Sequence, residues 1–432
     1  MIEGLSGAAR DGVITVILLV PLLATGLICL RGFQLWPLLA GLFRRHRALS
    51  ATFIFLIAVS VGMGASLIAQ ERALREATAR SAEKFDLIVA APGSEFTAML
   101  ATVYLETTAL PLLDGAAYAR VANHEHVTFA APLAFGDSWQ GAPVVGTTEA
   151  FVLHLGGHLA EGRVFETIEE AVIGASVALE IGDTFEPVHG DGSQGLLDAH
   201  GFELTAVGKL PRTGSPWDRA ILVPVEQVWE VHALPNGHGP DWTGRLGPPF
   251  DTAHFPGTPA ILVSGDALWA NYALRSAFNS GETMAFFPGT IIAELHVIMG
   301  DIQQVMSVLT LIAQGLVVLS VLTGLALLAR LLARRLALLR ALGAPQRFIL
   351  ALTWSFSTLL IISGAACGLI LAFASSALIS ATITARTGIL VEAGLGWGEM
   401  HMIAGYVSAA GLFALLPAFF VSRRSPVIDL RG

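Results

Sequence analysis

Charged residues are scarce in this sequence. Asp, Glu, Lys and Arg make up 14% of its 432 residues, whereas hydrophobic residues make up 54%, and the mean hydropathy is +0.66. A water-soluble protein of this length would need more charge to cover its surface. The composition therefore excludes an ordinary soluble protein and indicates an integral membrane protein.

Lysine and cysteine are rarer still, and each scarcity excludes a kind of site. The chain has two lysines, Lys84 and Lys209, and neither lies in a GxxxxGK[ST] loop. This excludes ATP binding of the P-loop type. Cys29 and Cys367 both lie in apolar stretches, so we interpret them as packing residues rather than a disulfide. The sequence also lacks a GxSxG nucleophile motif. We therefore expect neither enzymatic activity nor a bound cofactor.

Five stretches are apolar enough to cross a membrane core of ~30 Å, which takes about 20 residues of helix. They lie at residues 12–31, 49–69, 303–329, 350–382 and 402–421. Small residues crowd the fourth stretch between Ser363 and Gly368. Such residues allow close approach of helices, either within one subunit or at a dimer interface.

Arginines cluster in the short segments beside these stretches, accompanied by a single carboxylate, Asp429. The arginines are Arg31, Arg44, Arg45, Arg47, Arg330, Arg334, Arg335, Arg340, Arg347, Arg423, Arg424 and Arg431. Positive residues in short loops mark the cytoplasmic side, so residues 71–302 and the loop at 383–401 are predicted to lie outside. Residues 71–302 carry 29 Asp and Glu against 11 Lys and Arg, which excludes a nucleic-acid partner.

The first apolar stretch has two interpretations. It could be a signal peptide, but Glu3 and Asp11 precede or begin it and no convincing basic region is present. We expect instead an extra N-terminal transmembrane helix within residues 1–33. Residues 34–46 would then form an amphipathic elbow along the inner interface, leading into the helix that completes the segment 34–70.

The outer segment is predicted to form a mixed α/β domain. Strands are expected at 84–91, 170–174, 202–208 and 220–224, and a short helix at 175–180. Residues 233–260 are rich in Gly and Pro and predict an irregular loop. The stretches 68–83 and 290–302 are expected to continue the neighbouring spans outward as two stalk helices.

A basic segment at 330–347 follows the third span and contains a sequence that ends helices, Gly343-Ala344-Pro345. We predict a kinked turn on the cytoplasmic side, where a separate motor protein could push on it. The candidate contact residues are Arg334, Arg335, Arg340, Ala341, Leu342, Gly343, Ala344 and Pro345. The alternative is that these arginines only anchor helix ends to anionic lipid.

Ten of the twelve histidines lie in the outer segment. His124 and His126, and His154 and His158, have spacings that could suit a metal ion. However, two glycines between His154 and His158 make a helix there doubtful, and no Glu follows His154 as a zinc-protease motif requires. We interpret these four histidines as solvated polar residues, with a metal site as the alternative.

Several sequence blocks, in this order, resemble one membrane protein family over roughly residues 38–432. The blocks are RRHRALSATFIFLIAVSVGMGASL, FDLIVAAPGSEFTAMLATVY, EGRVFETIEEAVIGASVALEIGDTF, FELTAVGKLPRTGSPWDRAILVP, ARRLALLRALGAPQRFIL and RRSPVIDLR. They resemble the FtsX/MacB-like permeases of ABC transporters, a family that includes the LolC and LolE lipoprotein-releasing subunits. The extra first helix departs from the family's four-helix plan.

The resemblance implies a fold and a mechanism. It implies a MacB-like periplasmic core at 71–302 and an FtsX-like transmembrane domain with three helices at 303–432, in a multi-pass protein of the bacterial inner (plasma) membrane. It implies mechanotransmission: a cytoplasmic ATPase of the LolD or MacB type engages the coupling segment and moves the outer domain.

The partners that follow are that ATPase, a second permease in a homo- or heterodimer, membrane lipid, and a periplasmic or lipoprotein partner. The cargo would be a lipoprotein, lipid or other envelope molecule. Two other functions remain open: a transmembrane signal relay that regulates a cell-wall hydrolase, and an accessory role in metal handling.

Overall fold

A computed structural model describes residues 6–190, 201–331 and 333–423. The chain divides into two units. The helical unit comprises Met1–Leu74, Gly300–Ala381 and Glu392–Gly432, and the α/β unit comprises Arg75–Met299 and Thr382–Val391. Of the predicted C-terminal block RRSPVIDLR, only Arg423 lies within the described residues.

The helices, in chain order, are α1 Gly7–Leu30, α2 Trp36–Arg45, α3 Arg47–Ala82, α4 Glu95–Val103, α5 Gly115–Ala122, α6 Glu149–Gly156, α7 Val225–Val231, α8 Leu268–Phe278, α9 Pro288–Leu331, α10 Ala333–Ala341, α11 Gln346–Thr387, α12 Trp397–Phe413 and α13 Leu415–Ser422. By length and composition, five helical stretches of the described chain could cross a membrane: Gly7–Leu30, Arg47–Ala82, Pro288–Gly324, Gln346–Thr387 and Trp397–Ser422. Each predicted span overlaps one of them. The last is interrupted between α12 and α13, at Ala414.

Three helices, α3, α9 and α11, are much longer than a membrane crossing requires. Helix α11 has 42 residues, which correspond to about 63 Å at 1.5 Å per residue. Helix α3 has 36 residues and α9 has 44, which correspond to about 54 and 66 Å at 1.5 Å per residue. The outward continuations predicted at 68–83 and 290–302 are therefore helical, and each belongs to the same helix as its span. All three long helices, α3, α9 and α11, contribute residues to both units.

Small residues of α11 pack against α3 within the helical unit. A Cβ atom on Gly364 would come 2.6 Å from Cβ of Ile57, and one on Gly368 would come 2.9 Å from the carbonyl oxygen of Ala58. Real Cβ atoms do not approach neighbours this closely, so only glycine permits this helix spacing. Of the two interpretations left open by the sequence, packing within one subunit applies to these two glycines.

Helix α1 packs against α12 in the same unit. Leu22 is buried and lies against Gly411. The Trp354 indole N–H donates to the Gly411 carbonyl at 2.9 Å, and the same ring lies beside Gly26 of α1. The N-terminal helix thus contributes Leu22 to the hydrophobic core of the helical unit.

The α/β unit contains two sheets. Its strands are β1 Leu87–Ala90, β2 Val127–Pro132, β3 Ala134–Trp139, β4 Ala142–Thr147, β5 Glu161–Gly162, β6 Glu170–Ile173, β7 Thr184–Phe185, β8 Val188–His189, β9 Leu204–Lys209, β10 Ile221–Pro224, β11 Ala260–Gly265 and β12 Met284–Phe286. One sheet has the order β12-β1-β11-β2, and its pairs are antiparallel. The other has the order β5-β9-β6-β10-β4-β3-β8, with β7 paired to β9. In it, β10–β4 and β6–β9 are parallel.

The strand β1 lies between two hydrophobic cores, which explains why its four residues are all apolar. Successive side chains of a strand point to opposite faces. Leu87 and Val89 belong to one core, whereas Ile88 and Ala90 belong to the other. The sequence LIVA is therefore continuously apolar because both faces of the strand are buried.

The predicted strands at 84–91, 170–174, 202–208 and 220–224 are observed, but the helix predicted at 175–180 is wrong. That segment forms turns. The Ser176 N–H donates to the Asp218 carbonyl at 2.7 Å, and the Gly182 N–H donates to the Ala206 carbonyl at 2.8 Å. These bonds attach the segment and the nearby Gly182 to distant parts of the chain. Residues 233–260 are irregular up to the start of β11, as predicted.

Candidate functional site

The predicted contact residues lie on α10 and on the turn between α10 and α11. Arg334 and Arg335 are on α10, but their side chains lie outside the described residues, as does Leu332 between α9 and α10. The structure therefore locates the backbone of the whole predicted site except Leu332, and the side chains from Leu336 onward.

The break predicted at Gly343, Ala344 and Pro345 is observed, and its hydrogen bonds define its shape. The Ala344 N–H donates to the Leu339 carbonyl, and the Gly343 N–H donates to the Arg340 carbonyl, both at 3.0 Å. This is the pattern of a Schellman motif, in which the residue after the C-cap is left-handed. Gly343 has φ +99°, and α11 begins directly after Pro345.

Buried residues hold both helices that flank the turn. Leu336 and Ala337 of α10 and Ile349 of α11 are buried, and Leu336 and Ile349 belong to the core of the helical unit. The Nη1 of Arg340 donates a hydrogen bond to the Ser422 carbonyl at 3.4 Å, which links α10 to the end of α13. The turn is therefore fixed to the body of the unit at several points.

The tip of the same turn is open. Leu342 is 84% exposed, and no atom lies within 4 Å of the position that a Cβ on Gly343 would take. Leu342, Gly343, Ala344 and Pro345 carry no acid, base or nucleophile in their side chains. The arrangement can offer a rigid apolar contact flanked by arginines, but it can perform no covalent chemistry.

The C-terminal part of α3 and the N-terminal part of α9 are linked within the α/β unit. The hydroxyl of Thr78 lies 2.9 Å from Nε2 of His296. The Tyr104 hydroxyl, at the end of α4, donates to the Thr78 carbonyl at 3.3 Å, and burial raises the pKa of this phenol to about 12. The two predicted stalk helices are thus bound to each other and to the domain.

The four histidines singled out in the sequence do not form a common site. The Nε2 atom of His154 is bonded to the Lys84 carbonyl at 2.9 Å, and His158 is exposed beyond the end of α6. His126 packs against Trp269 and lies 3.5 Å from an Asp266 oxygen. Among the described residues, no group of three or more metal-ligating side chains includes any of the four.

Sequence reasoning missed a buried ion pair in the helical unit. Arg72 of α3 binds both carboxylate oxygens of Glu399, which is fully buried in the first turn of α12. Both residues lie at the outer side in the predicted topology, one after the second span and one before the last. Opposite charges at the same predicted membrane surface are the signal that could have revealed the pair.

Comparisons with known proteins reveal weak structural similarity only. No protein-family model and no curated protein matches the sequence. The periplasmic region of MacB from Actinobacillus actinomycetemcomitans aligns with a TM-score of 0.30 and 11% identity, covering 48% of this chain and 91% of that one. The extracellular domain of the noncanonic ABC-type transporter YknZ from Gram-positive bacteria aligns with a TM-score of 0.28 and 9% identity, covering 46% and 98%. At these values the similarity carries no functional conclusion for this chain.

Proposed function

We propose that this chain is a permease subunit of an ABC transporter that works by mechanotransmission. A separate cytoplasmic ATPase, of the LolD or MacB type, would hydrolyse ATP, and the permease would convert the ATPase movement into a movement of its α/β unit. The permease would act as a homo- or heterodimer in the bacterial inner membrane. Its cargo would be a lipoprotein, lipid or other envelope molecule.

The observation that carries the proposal is the turn between α10 and α11. A force-receiving element must be rigid where it joins the protein and accessible where it meets its partner. Leu336, Ala337 and Ile349 provide the buried attachment, and Leu342 provides the accessible tip. The Schellman hydrogen bonds fix the angle between the two helices.

The lengths of α3 and α9 support the same proposal. Each helix is continuous, α3 over Arg47–Ala82 and α9 over Pro288–Leu331. A long helix curves gently and kinks only where a defined defect interrupts its hydrogen bonds. A displacement at one end of such a helix is therefore transmitted to the other end, without passage of a solute.

Few ionisable side chains lie in the apolar helices, which disfavours an ion or proton path as the alternative to mechanical coupling. Glu399, which is fully buried, is neutralised by Arg72 at 2.9 Å. The pair joins α3 to the first turn of α12.

Cysteine labelling tests the topology on which the proposal depends. In a chain with Cys29→Ala and Cys367→Ala, single cysteines would be placed by Leu342→Cys, at the turn, and by Leu268→Cys, on α8 of the α/β unit. These positions are 84% and 76% exposed. In intact cells a membrane-impermeant maleimide should label Leu268→Cys, and it should label Leu342→Cys only after permeabilisation. Labelling of both in intact cells would overturn the proposal.

Cross-linking tests the partner. With a heterobifunctional reagent attached at Leu342→Cys, an ATPase of the ABC class should be captured, and with the same reagent at Leu268→Cys it should not. Capture of the ATPase by neither position would count against the function. If the ATPase is captured and a cell-wall hydrolase copurifies with the chain in place of a cargo, the signal-relay alternative would replace transport.

A further inference from the structure

Three side chains of the α/β unit, which the sequence gives no reason to group, converge on one point. They are Asp137, His189 and His232, and they are the one group of metal-ligating side chains found among the described residues. Oδ1 of Asp137 lies 3.4 Å from Nδ1 of His189 and 3.6 Å from Nε2 of His232. The two ring nitrogens are 3.3 Å apart.

These distances suit a shared cation better than direct hydrogen bonds. Hydrogen bonds between N–H groups and oxygens are normally 2.7–3.2 Å long, and both carboxylate distances exceed that range. Ligands held tetrahedrally at about 2.0–2.1 Å from Zn²⁺ are about 3.3 Å from one another. The three donor atoms are thus spaced like three corners of a zinc coordination tetrahedron.

The fold itself places the three donors together. Asp137 of β3 and His189 of β8 are directly opposite each other in the antiparallel register, where side chains of paired residues are neighbours. His232 follows the last residue of α7. Its ring reaches the sheet because Gly136 has no side chain: a Cβ there would lie 2.9 Å from Cε1 and Nε2 of the imidazole.

A hydrogen bond to the backbone prepares His232 for a metal. Its Nδ1 lies 2.7 Å from the Val228 carbonyl, an acceptor in the last turn of α7 with no helical partner of its own. Because a carbonyl can only accept a hydrogen bond, Nδ1 carries the proton. The Nε2 atom therefore directs its lone pair towards the side where the ligand atoms of Asp137 and His189 lie. Metal-binding histidines are commonly oriented by this kind of bond.

The cluster combines a buried anchor with an accessible side. The side chain of Asp137 is 1% exposed, that of His232 22% and that of His189 54%. Gly136, Asp137, Ser138 and Gly190 line a cavity of about 580 Å³ in the α/β unit. Of the three ligands, Asp137 lines this cavity. The exposed side of His189 leaves a fourth coordination position open to water or another ligand.

We propose that Asp137, His189 and His232 form a binding site for a divalent metal ion of the zinc class. Two imidazoles and one carboxylate are a donor set that Zn²⁺ accepts readily, with Cu²⁺ and Ni²⁺ as competitors in vitro. The ion would tie the edge strand β8 to β3 and to the end of α7, and so stabilise this end of the α/β unit. The proposal goes beyond transport and does not depend on it.

Calorimetric titration of the full-length protein with Zn²⁺ tests the site directly. The protein would be purified in detergent, treated with a chelator and dialysed. One saturable equivalent of Zn²⁺ is expected for the wild type, and His189→Asn should weaken its affinity at least tenfold, because it removes a ligand. His189 is half exposed, so this substitution leaves the fold intact. The matched control, His158→Asn, replaces an exposed histidine of the same unit and should bind like the wild type.

Two further measurements separate this site from non-specific binding. X-ray absorption at the zinc edge should reveal two imidazole ligands in the wild type and one in His189→Asn. Zn²⁺ at about one hundred times its dissociation constant should raise the unfolding temperature of the wild type and of His158→Asn, but not that of His189→Asn. A flat titration of the wild type, or equal binding by wild type and His189→Asn, would overturn the proposal.

Discussion

One guanidinium nitrogen of Arg72, Nη1, binds both carboxylate oxygens of Glu399, at 2.9 and 3.1 Å. Glu399 is fully buried, and one of its oxygens also accepts the Gly396 N–H at 2.8 Å. The other terminal nitrogen of Arg72 donates to the Gly394 carbonyl at 2.6 Å. One side chain of α3 therefore fixes the start of α12 and the loop before it.

Arg72→Gln should destabilise the helical unit. It leaves the carboxylate of Glu399 buried without its counter-charge, which costs ~3–5 kcal/mol for a fully buried pair. Because the Arg72 side chain is 36% exposed, we expect a smaller loss of about 2–3 kcal/mol. Unfolding of the purified protein in detergent, followed by circular dichroism, measures it.

A double substitution identifies the cause of this loss. Glu399→Gln retains an acceptor for the Gly396 N–H but removes the charge, so Arg72→Gln with Glu399→Gln should recover at least ~1 kcal/mol relative to Arg72→Gln alone. Arg45→Gln, at an exposed arginine of α2, is the control and should have little effect. Additive effects of the two substitutions would contradict the ion-pair explanation.

Gly364→Ala should also destabilise the helical unit, by about 1–3 kcal/mol, because the new methyl group would overlap Ile57 of α3. Gly315→Ala on α9 is the matched control, since no atom lies within 4 Å of its Cβ position. There the same change should be neutral or stabilising by up to ~1 kcal/mol, because alanine favours the helix. Equal effects in the same unfolding assay would rule out tight packing of α11 on α3.

Gly343→Ala should uncouple ATP hydrolysis from movement of the α/β unit. At φ +99° an alanine is strained by about 1–2 kcal/mol, which disfavours the Schellman turn. We expect about a tenfold loss of transport-coupled ATPase activity, with normal membrane insertion. Gly41→Ala on α2 has an ordinary φ and open space around it, and it should behave like the wild type. Full activity of Gly343→Ala would remove the coupling turn from the proposal.

Acid should weaken the α/β unit through Glu170. Hydrogen bonds from the Arg163 guanidinium, and from the backbone N–H groups of Glu166 and Thr167, outweigh desolvation and lower the pKa of this carboxyl from 4.5 to about 2. A carboxyl whose pKa is lowered by folding stabilises the protein above its unfolded-state pKa. That contribution is lost as the pH falls from about 4.5 towards 2.

A pH series of unfolding temperatures checks this effect. Glu170→Gln should be less stable than the wild type at neutral pH, and the difference should shrink between about pH 4.5 and 2. Glu169→Gln replaces an exposed neighbour and should follow the wild type throughout. A difference between Glu170→Gln and the wild type that does not change with pH would exclude the ionic contribution.

Local features of the sequence predicted part of the local structure. Hydropathy over about 20 residues predicted the five helical stretches that are long enough to cross a membrane, and the Gly343-Ala344-Pro345 sequence predicted the turn after α10. The short helix expected at 175–180 is wrong, and the Ser176 N–H in this segment donates instead to the carbonyl of Asp218, a partner more than 40 residues away. Local propensity contains no information on such a partner.

Only the tertiary structure decided which distant residues meet. Asp137, His189 and His232 lie far apart along the chain and come together because β3 pairs with β8 beside the end of α7. The contact between Gly364 and Ile57 likewise depends on how α11 crosses α3. Composition and apolar length predicted a membrane protein, because transfer of each apolar side chain from water into lipid is favourable on its own. Arginine placement predicted its topology. Sites depend on strand register and helix packing, which arise only when the whole chain has folded.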